Sequence, residues 1–223
     1  LTTLNKRREK KTYEDGLKMA PLLIHLPPST DDIQGGGRDE RDVTNEVISQ
    51  AQVMYSILAS TVKKGMDAKL YGQRHFSFEI IAKDGLIHYY AMVPAVLTET
   101  VKQSVQSAYP TARLEEKMEE NIFSKEGGLD AVAGAELTLK NDYYLPIATY
   151  EDTKRDASMA ILNALSVVSK NEGAAVQILF RPADFEWRDK AKKYIESIQK
   201  GKREPVFIQD NYYYLCNVEP EQS

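Results

Sequence analysis

Few residues of this 223-residue chain have the types and spacing that catalysis or cofactor binding requires. Three consecutive glycines at 35–37 could let backbone N–H groups approach a phosphate, as phosphate-binding loops do. No lysine of the P-loop type follows them, and the chain continues with the acidic sequence RDERD. The composition of this stretch is typical of a mobile loop, and we expect one at 29–42.

The histidines and the single cysteine match no metal or nucleophile motif. His25, His75 and His88 lie in or next to predicted strands, without the short helical spacing of a zinc protease. Cys216 has no histidine near it in sequence, and one cysteine excludes an internal disulfide. The sequence thus predicts no catalytic residue, no metal site, no cofactor and no enzyme activity. An enzyme whose site the fold assembles from scattered acids and histidines stays as a third alternative.

Tyrosine is frequent, with 13 copies and clusters at 89–90, 143–144 and 212–214. Exposed aromatic side chains on a sheet can stack on the bases of single-stranded nucleic acid. Neighbours on a strand point to opposite faces, so one tyrosine of each pair is expected in the core. The aromatic and glycine signature of RNA-recognition domains is missing, which favours packing or a protein interface. The candidate contact residues for a protein or nucleic-acid partner are Tyr90, Tyr144, Arg188, Lys192 and Lys193.

The first half of the chain has the pattern of a ferredoxin-like fold. Apolar and polar residues alternate over 76–81, and Asp84-Gly85 is a favoured dipeptide of two-residue hairpin turns. A helical apolar stripe follows over 97–108, and another strand begins near Ala112. With the apolar run at 20–28 and the helical pattern from Val43, this gives the order β-α-β-β-α-β. We therefore expect a ferredoxin-like lobe at 20–118.

A similar order recurs in the second half. AGAELTLKNDYYLPIATY reads as two strands around a tight turn, a helical run extends to Val168, and GAAVQILFRP reads as a strand. The strand at 175–181 is almost entirely apolar and is expected centrally in a sheet. We expect a second α+β lobe at 119–204, with an amphipathic helix at 184–200. Residues 205–223 read as an edge strand or a tail.

The predicted fold class is therefore α+β, with two related ferredoxin-like lobes whose antiparallel sheets carry helices on one face. An apolar fraction of 42% and a charged fraction of 28% are ordinary for a soluble protein. A net charge of −4 gives no general attraction to nucleic acid, so any anion site must be a local patch. Residues 1–19 are basic and are expected to be a flexible segment; alternatively, they follow a removed membrane segment, as the positive-inside rule allows.

The blocks FSFEIIAKDGLIHYYAMVPAVLTETVKQSVQSAYPTARLEE and YYLPIATYEDTKRDASMAILNALSVVSKNEGAAVQILFRP, with Trp187 shortly after, resemble a known region. This region lies ahead of the motor in bacterial type IV secretion ATPases of the conjugative DNA-transfer family. The resemblance spans about Pro21 to Lys200 and rests on the order and texture of the blocks. In that family membrane-spanning segments precede the region and a hexameric RecA-like ATPase follows it. This chain has no Walker motif, and VFIQDNYYYLCNV does not fit the family pattern.

The resemblance implies a non-catalytic accessory domain in the cytoplasm, at the inner face of the membrane. Its implied partners are the ATPase motor domain and other secretion-system subunits, while homo-oligomerisation and contact with DNA stay open. The alternative function is a ferredoxin-like module that binds single-stranded nucleic acid. Its basis is the tyrosine content together with the basic face of the last helix.

Overall fold

The computed structural model describes residues 2–12, 17–26, 40–117, 122, 131–145, 147, 157–183, 186–204 and 213–216. The helices are α1 (Thr2–Thr12), α2 (Glu40–Ser60), α3 (Gly65–Tyr71), α4 (Thr98–Ala108), α5 (Ala157–Ser166) and α6 (Glu186–Gln199). The strands are β1 (Met19–His25), β2 (Phe76–Lys83), β3 (Leu86–Pro94), β4 (Arg113–Glu116), β5 (Glu136–Leu139), β6 (Gly173–Phe180) and β7 (Tyr213–Cys216). The α+β class predicted from the sequence is confirmed.

The chain divides into two compact units. Unit 1 comprises Leu1–Ile122 and Leu165–Ala183, and unit 2 comprises Phe123–Ala164 and Asp184–Ser223. Unit 1 contains an open, antiparallel five-stranded sheet in the order β4-β1-β3-β2-β6. In unit 2, β5 and β7 pair as a two-stranded antiparallel ribbon.

The hairpin of β2 and β3 forms where the sequence predicted it. Asp84 and Gly85 both adopt positive φ angles, 53° and 77°, and Lys83 pairs with Leu86 across the two-residue loop. Two successive left-handed residues match the right-handed twist of the strands they connect, which is why Asp-Gly is favoured at this position.

The main core of unit 1 lies between the sheet and two helices. The strands contribute Leu22, Phe76, Ala91 and Val93, and the helices α2 and α4 contribute Met54, Leu58, Val101, Val105 and Ala108. These helical positions follow the three- and four-residue spacing that places apolar side chains on one face of a helix. Full burial of each large apolar side chain stabilises the fold by about 1.5–3 kcal/mol.

The opposite face of the sheet carries a second cluster formed by Leu23, Ile81, Tyr90 and Ile122. One cross-strand row on this face runs through all five strands, from Glu115 through Leu23, Tyr90 and Glu79 to Gln177. Because residues paired across strands point to the same face, this row combines apolar packing with a buried polar contact.

Strand β6 lies in a different place from the one that the sequence predicted. It was expected centrally in the sheet of a second lobe, but it pairs with β2 and forms an edge of the unit 1 sheet. Phe180 stacks with Phe76 and Phe78 at ring-centroid distances of 5.5 and 5.3 Å, which fixes the end of the new strand pair. Apolar composition indicated a buried strand, but it carried no information about the partner strand.

The second ferredoxin-like lobe is not confirmed. Residues 143–145, expected in a strand returning from β5, form a turn and a bend, and β5 pairs with β7 instead. Residues 205–223 were expected to be an edge strand or a tail, and they contain the strand Tyr213–Cys216. The helix expected at 184–200 is present at Glu186–Gln199.

Two loop predictions have different outcomes. Residues 2–12 form helix α1 where a flexible segment was expected, because leucine, lysine, arginine and glutamate are all good helix formers. The mobile loop predicted at 29–42 lies outside the described residues up to position 39, and residues 40–42 already belong to α2.

Candidate functional site

Cavities of unit 1 have the character of packing defects at an apolar surface. One, of about 220 Å³, is lined by Tyr55, Leu58 and Phe180 among others, and another, of about 180 Å³, by residues including Met54 and Tyr109. Neither lining contains a histidine or a carboxylate. Within the ranges that the structure describes, no three His, Cys, Asp or Glu side chains are grouped so that they could hold a metal ion.

His25 and His88 make separate contacts with different partners. His25 Nε2 lies 3.3 Å from Glu115 Oε2 in an exposed pair between β1 and β4. Such surface pairs contribute little to stability. The ring of His88 lies 6.4 Å from that of Tyr90, in a contact typical of packing. These geometries give no observation that supports the third alternative, an enzyme.

Tyr90 is the candidate contact residue that the structure places in the core. Its side chain is 1% exposed and packs with Leu23 and Ile81 on the face of the sheet opposite α2 and α4. Strand alternation points Tyr89 and Tyr90 to opposite faces of the sheet. Tyr90 is buried on its face, and Tyr89 is half-buried on the other. The ring of Tyr90 is therefore covered by its neighbours in unit 1, and a contact of this residue with a partner stays a prediction.

Tyr144 belongs to a group of aromatic and basic side chains in unit 2, which we call the Tyr143 cluster. Its members are Tyr143, Tyr144, Lys190, Tyr194 and Arg203. The ring of Tyr144 lies 5.7 Å from that of Tyr143 and 6.0 Å from that of Tyr194. Lys190 Nζ lies 4.9 Å from the centroid of the Tyr143 ring and donates a hydrogen bond to its hydroxyl oxygen. The Arg203 guanidinium lies 5.7 Å from the Tyr194 ring.

Electrostatics fix the orientation of Tyr144 in the Tyr143 cluster. Its hydroxyl donates a 2.7 Å hydrogen bond to Asp142 Oδ2. This bond is the main reason why the pKa of Tyr144 is raised, and Arg203 opposes the rise. Because the hydroxyl stays protonated and bonded to Asp142, the ring is held next to Tyr143 and Tyr194. The arrangement is a row of three rings flanked by two cations.

The predicted basic residues of α6 lie mainly outside the Tyr143 cluster. Arg188 packs over the ring of Trp187 at 5.6 Å. Lys192 and Lys193 are exposed. Helical periodicity places Lys192 on the opposite side of α6 from Lys190, whereas Lys193, three residues after Lys190, lies on the same side. Sequence reasoning missed Lys190, Tyr194 and Arg203. The four-residue spacing of Lys190 and Tyr194 was a readable signal, since it places both on one face of a helix.

Strand β6 offers a second surface, in unit 1. None of its eight residues is charged, and Ile178 and Leu179, which point to opposite faces, are 54% and 60% exposed. The strand at the other edge, β4, carries charge at Arg113, Glu115 and Glu116. Charged side chains are a common device for blocking pairing at an exposed sheet edge. The β4 edge has this protection and β6 lacks it.

The fold is that of an α+β protein with an open antiparallel sheet. A comparison with known protein families finds a match that covers most of the chain. Residues 41–206, about three quarters of the chain, match the family model of DUF8128, a domain of unknown function. The chain therefore belongs to the DUF8128 family. No curated protein and no solved structure matches it. Among the described residues, no helix has both the length and the apolar content needed to cross a bilayer.

Proposed function

We propose that this chain is a non-catalytic assembly domain of a type IV secretion ATPase of the conjugative DNA-transfer kind. It positions the motor against other subunits through protein contacts, at the cytoplasmic face of the membrane. The observation that supports this proposal best is the uncharged, exposed edge strand β6. The resemblance of the blocks at 76–116 and 143–182 to the pre-motor region of that family supplies the rest.

The finer fold assignment belongs to the same proposal. Residues 19–116 are ferredoxin-like, with β1, α2, β2, β3, α4 and β4 in the order β-α-β-β-α-β and the short helix α3 inserted before β2. Strand β6 extends this unit at its β2 edge. The proposed contact surface is thus an addition to a ferredoxin-like frame.

The partner of β6 is an extended, uncharged segment of another secretion-system subunit that pairs with its free edge. Strand addition of this kind draws its affinity from backbone hydrogen bonds and its specificity from alternate side chains. Ile178 and Leu179 supply these side chains on the two faces of the sheet. When a partner strand covers the exposed part of each of these two side chains, the burial contributes roughly 1 kcal/mol to the free energy of binding. This is about half the value for burying a fully exposed apolar side chain.

The test is site-specific photo-crosslinking of the full-length protein in its own cells. A benzophenone amino acid replaces Leu179, and in a matched control it replaces Leu86, which is also 60% exposed but lies at the β2–β3 hairpin. We expect adducts with the motor ATPase or another secretion subunit from position 179 and none from position 86. Adducts only with unrelated proteins, or the same adducts from both positions, would contradict the proposal.

An enzymatic test is independent of the cross-links. The purified chain is assayed for ATP hydrolysis beside a variant in which glycines 35–37 are replaced by alanine. We expect the two samples to be equally inactive. Hydrolysis at rates typical of a motor, lost in the glycine variant, would replace the assembly function by a catalytic one.

A further inference from the structure

We propose that the Tyr143 cluster of unit 2 is a binding site for single-stranded nucleic acid. The proposal rests on the geometry of this unit alone and stands or falls separately from the assembly function. Proteins that bind single strands without strict sequence preference combine aromatic side chains, on which bases stack, with a positive surface that follows the backbone. The Tyr143 cluster has both parts.

The aromatic part is a row of three tyrosine rings with an exposed end. Tyr143 is 60% exposed, and Tyr144 and Tyr194 continue the row at centroid separations of 5.7 and 6.0 Å. Trp187 lies three residues before Lys190 on α6 and is also partly exposed. Because every base has an aromatic face, rings in this arrangement can bind a strand whatever its sequence.

The cationic part flanks these rings. Lys190 is held at Tyr143 by its hydrogen bond, and Arg203 lies over Tyr194, so a phosphate beside a stacked base meets a positive charge. Three cation–ring pairs have their cations within residues 188–203, at Arg188, Lys190 and Arg203. Such pairs occur only about once per 70–80 residues on average, so their concentration here indicates a specialised surface.

The charge balance of the segment agrees with an anionic ligand. Residues 186–204 contain seven cationic and four acidic residues, a net charge of +3 in a chain whose net charge is −4. The carboxylate of Asp142 accepts a hydrogen bond from the hydroxyl of Tyr144. A local positive patch on an acidic protein attracts a polyanion to that patch rather than to the whole surface.

A single strand fits these features better than a duplex or an acidic peptide. In a duplex the base faces are stacked on one another, so exposed rings find no partner, whereas a single strand presents its base faces. An acidic peptide would use Lys190 and Arg203 but would leave the ring faces of Tyr143 and Trp187 unused. The combination of rings and cations therefore points to unpaired bases on a phosphate backbone.

The experiment measures fluorescence anisotropy of a labelled oligo-dT of about 20 nucleotides with the whole chain. We expect binding that weakens linearly on log–log axes between about 50 and 200 mM salt. Removing two cations, in the double variant Lys190→Ala with Arg203→Ala, should make this slope shallower by about 1.4. Tyr143→Ala should weaken binding at fixed salt by about fivefold or more.

Matched variants separate the site from general charge and from folding. Lys64→Ala with Lys69→Ala removes the same charge from exposed positions of unit 1 and should leave the affinity within about twofold. Tyr143→Phe keeps the ring and should retain binding, which Tyr143→Ala loses. Thermal unfolding of each variant, followed by circular dichroism, checks that unit 2 is still folded in the binding assay.

Four results would overturn the proposal. The first is no binding of oligo-dT at low salt, and the second is an equal loss of affinity in the cluster variants and the Lys64 and Lys69 control. The third is a duplex of the same length competing as well as the single strand, which would indicate phosphate contact without stacking. The fourth is polyglutamate competing equally well, which would indicate an acidic protein partner.

Discussion

Gln177 donates a side-chain hydrogen bond to Oε1 of Glu79, across the paired strands β6 and β2 and between residues 98 positions apart in the chain. Ser77 donates to the same oxygen at 2.8 Å, and Glu79 itself is buried. A buried carboxylate requires such donors to offset its loss of hydration. Because a slip of one residue would turn Gln177 to the other face, this contact also specifies the register of an otherwise uncharged edge strand.

Replacing Gln177 by alanine tests this contact. We expect Gln177→Ala to lower the free energy of unfolding by about 1–2 kcal/mol, since a buried acceptor loses one of its donors. Urea denaturation followed by circular dichroism measures the change. The control is Gln103→Ala on the exposed side of α4, where we expect a change within about 0.5 kcal/mol. Equal effects in the two variants would show that Glu79 does not depend on Gln177.

Because Tyr90 is buried, we expect its substitution to lower the stability of the fold. Tyr90→Ala leaves a cavity next to Leu23 and Ile81, so we expect a loss of about 3–5 kcal/mol in the free energy of unfolding. Tyr143→Ala, at an exposed ring, should cost less than about 1 kcal/mol. Denaturant unfolding of both variants compares them directly, and a loss below about 1 kcal/mol for Tyr90→Ala would contradict its place in the core.

Local patterns in the sequence predicted local structure well, because the determinants lie within a few residues. The Asp84-Gly85 hairpin, the apolar stripe of α4 and the amphipathic helix α6 all follow from turn chemistry or periodicity. The partner of β6 did not follow, since its pairing with β2 joins residues nearly 100 positions apart. Many apolar strands would satisfy the same composition.

In the candidate site, too, the sequence predicted features that depend on neighbouring residues but not contacts between distant ones. Tyr144 was identified from its cluster in the sequence, and it does lie among aromatic and basic side chains. Lys190 was not, because its partner Tyr143 is 47 residues away and only the fold brings them together. The burial of Tyr90 was not predicted, because alternation shows that two neighbours face opposite ways but does not show which face is more deeply buried.

The hairpin glycine provides a backbone prediction. Gly85 has a φ of 77°, a conformation that costs a residue with a Cβ atom about 1–2 kcal/mol, so Gly85→Ala should lower the free energy of unfolding by that amount. Gly134 is a matched control, because its φ is not in the left-handed region and no atom lies within 4 Å of an added Cβ. Gly134→Ala should change stability by less than about 0.5 kcal/mol. Chemical denaturation of both variants measures the difference, and equal values would argue against strain at Gly85.

The unprotected edge predicts how the purified protein behaves at high concentration. Leu179→Lys places a charge on the exposed part of β6, and we expect weaker self-association without loss of folded stability, because edge charges block strand pairing. Light scattering over a concentration series measures association. Leu86→Lys, at an equally exposed position on the hairpin, should leave association unchanged. A reduction by both substitutions alike would indicate an effect of net charge instead.

Partial desolvation of Tyr55, which is 48% exposed, and of Tyr109 predicts a small loss of stability in alkaline solution. Desolvation raises the pKa of Tyr55 above its ordinary value of 10.0. Desolvation, and then the nearby Tyr55, raise the pKa of Tyr109 in the same direction. When the pKa of an acid is higher in the folded state, the unfolded chain loses its proton first as the pH rises. The stabilisation is therefore complete below pH 10.0 and is lost as the pH rises through the folded pKa.

Tyr55→Phe tests this dependence, because it eliminates one ionisable group and also its influence on the pKa of Tyr109. We expect the free energy of unfolding to fall less steeply in the variant than in the parent protein between about pH 9 and pH 11. Near about pH 8 both tyrosines are protonated in the folded and unfolded states, so the slope of the free energy of unfolding against pH should be the same in the two proteins. This serves as the internal control. Parallel curves over the alkaline range would show that the Tyr55 hydroxyl is not desolvated where its ring packs against Phe78 on β2 and Phe180 on β6, at centroid distances of 6.3 and 5.8 Å.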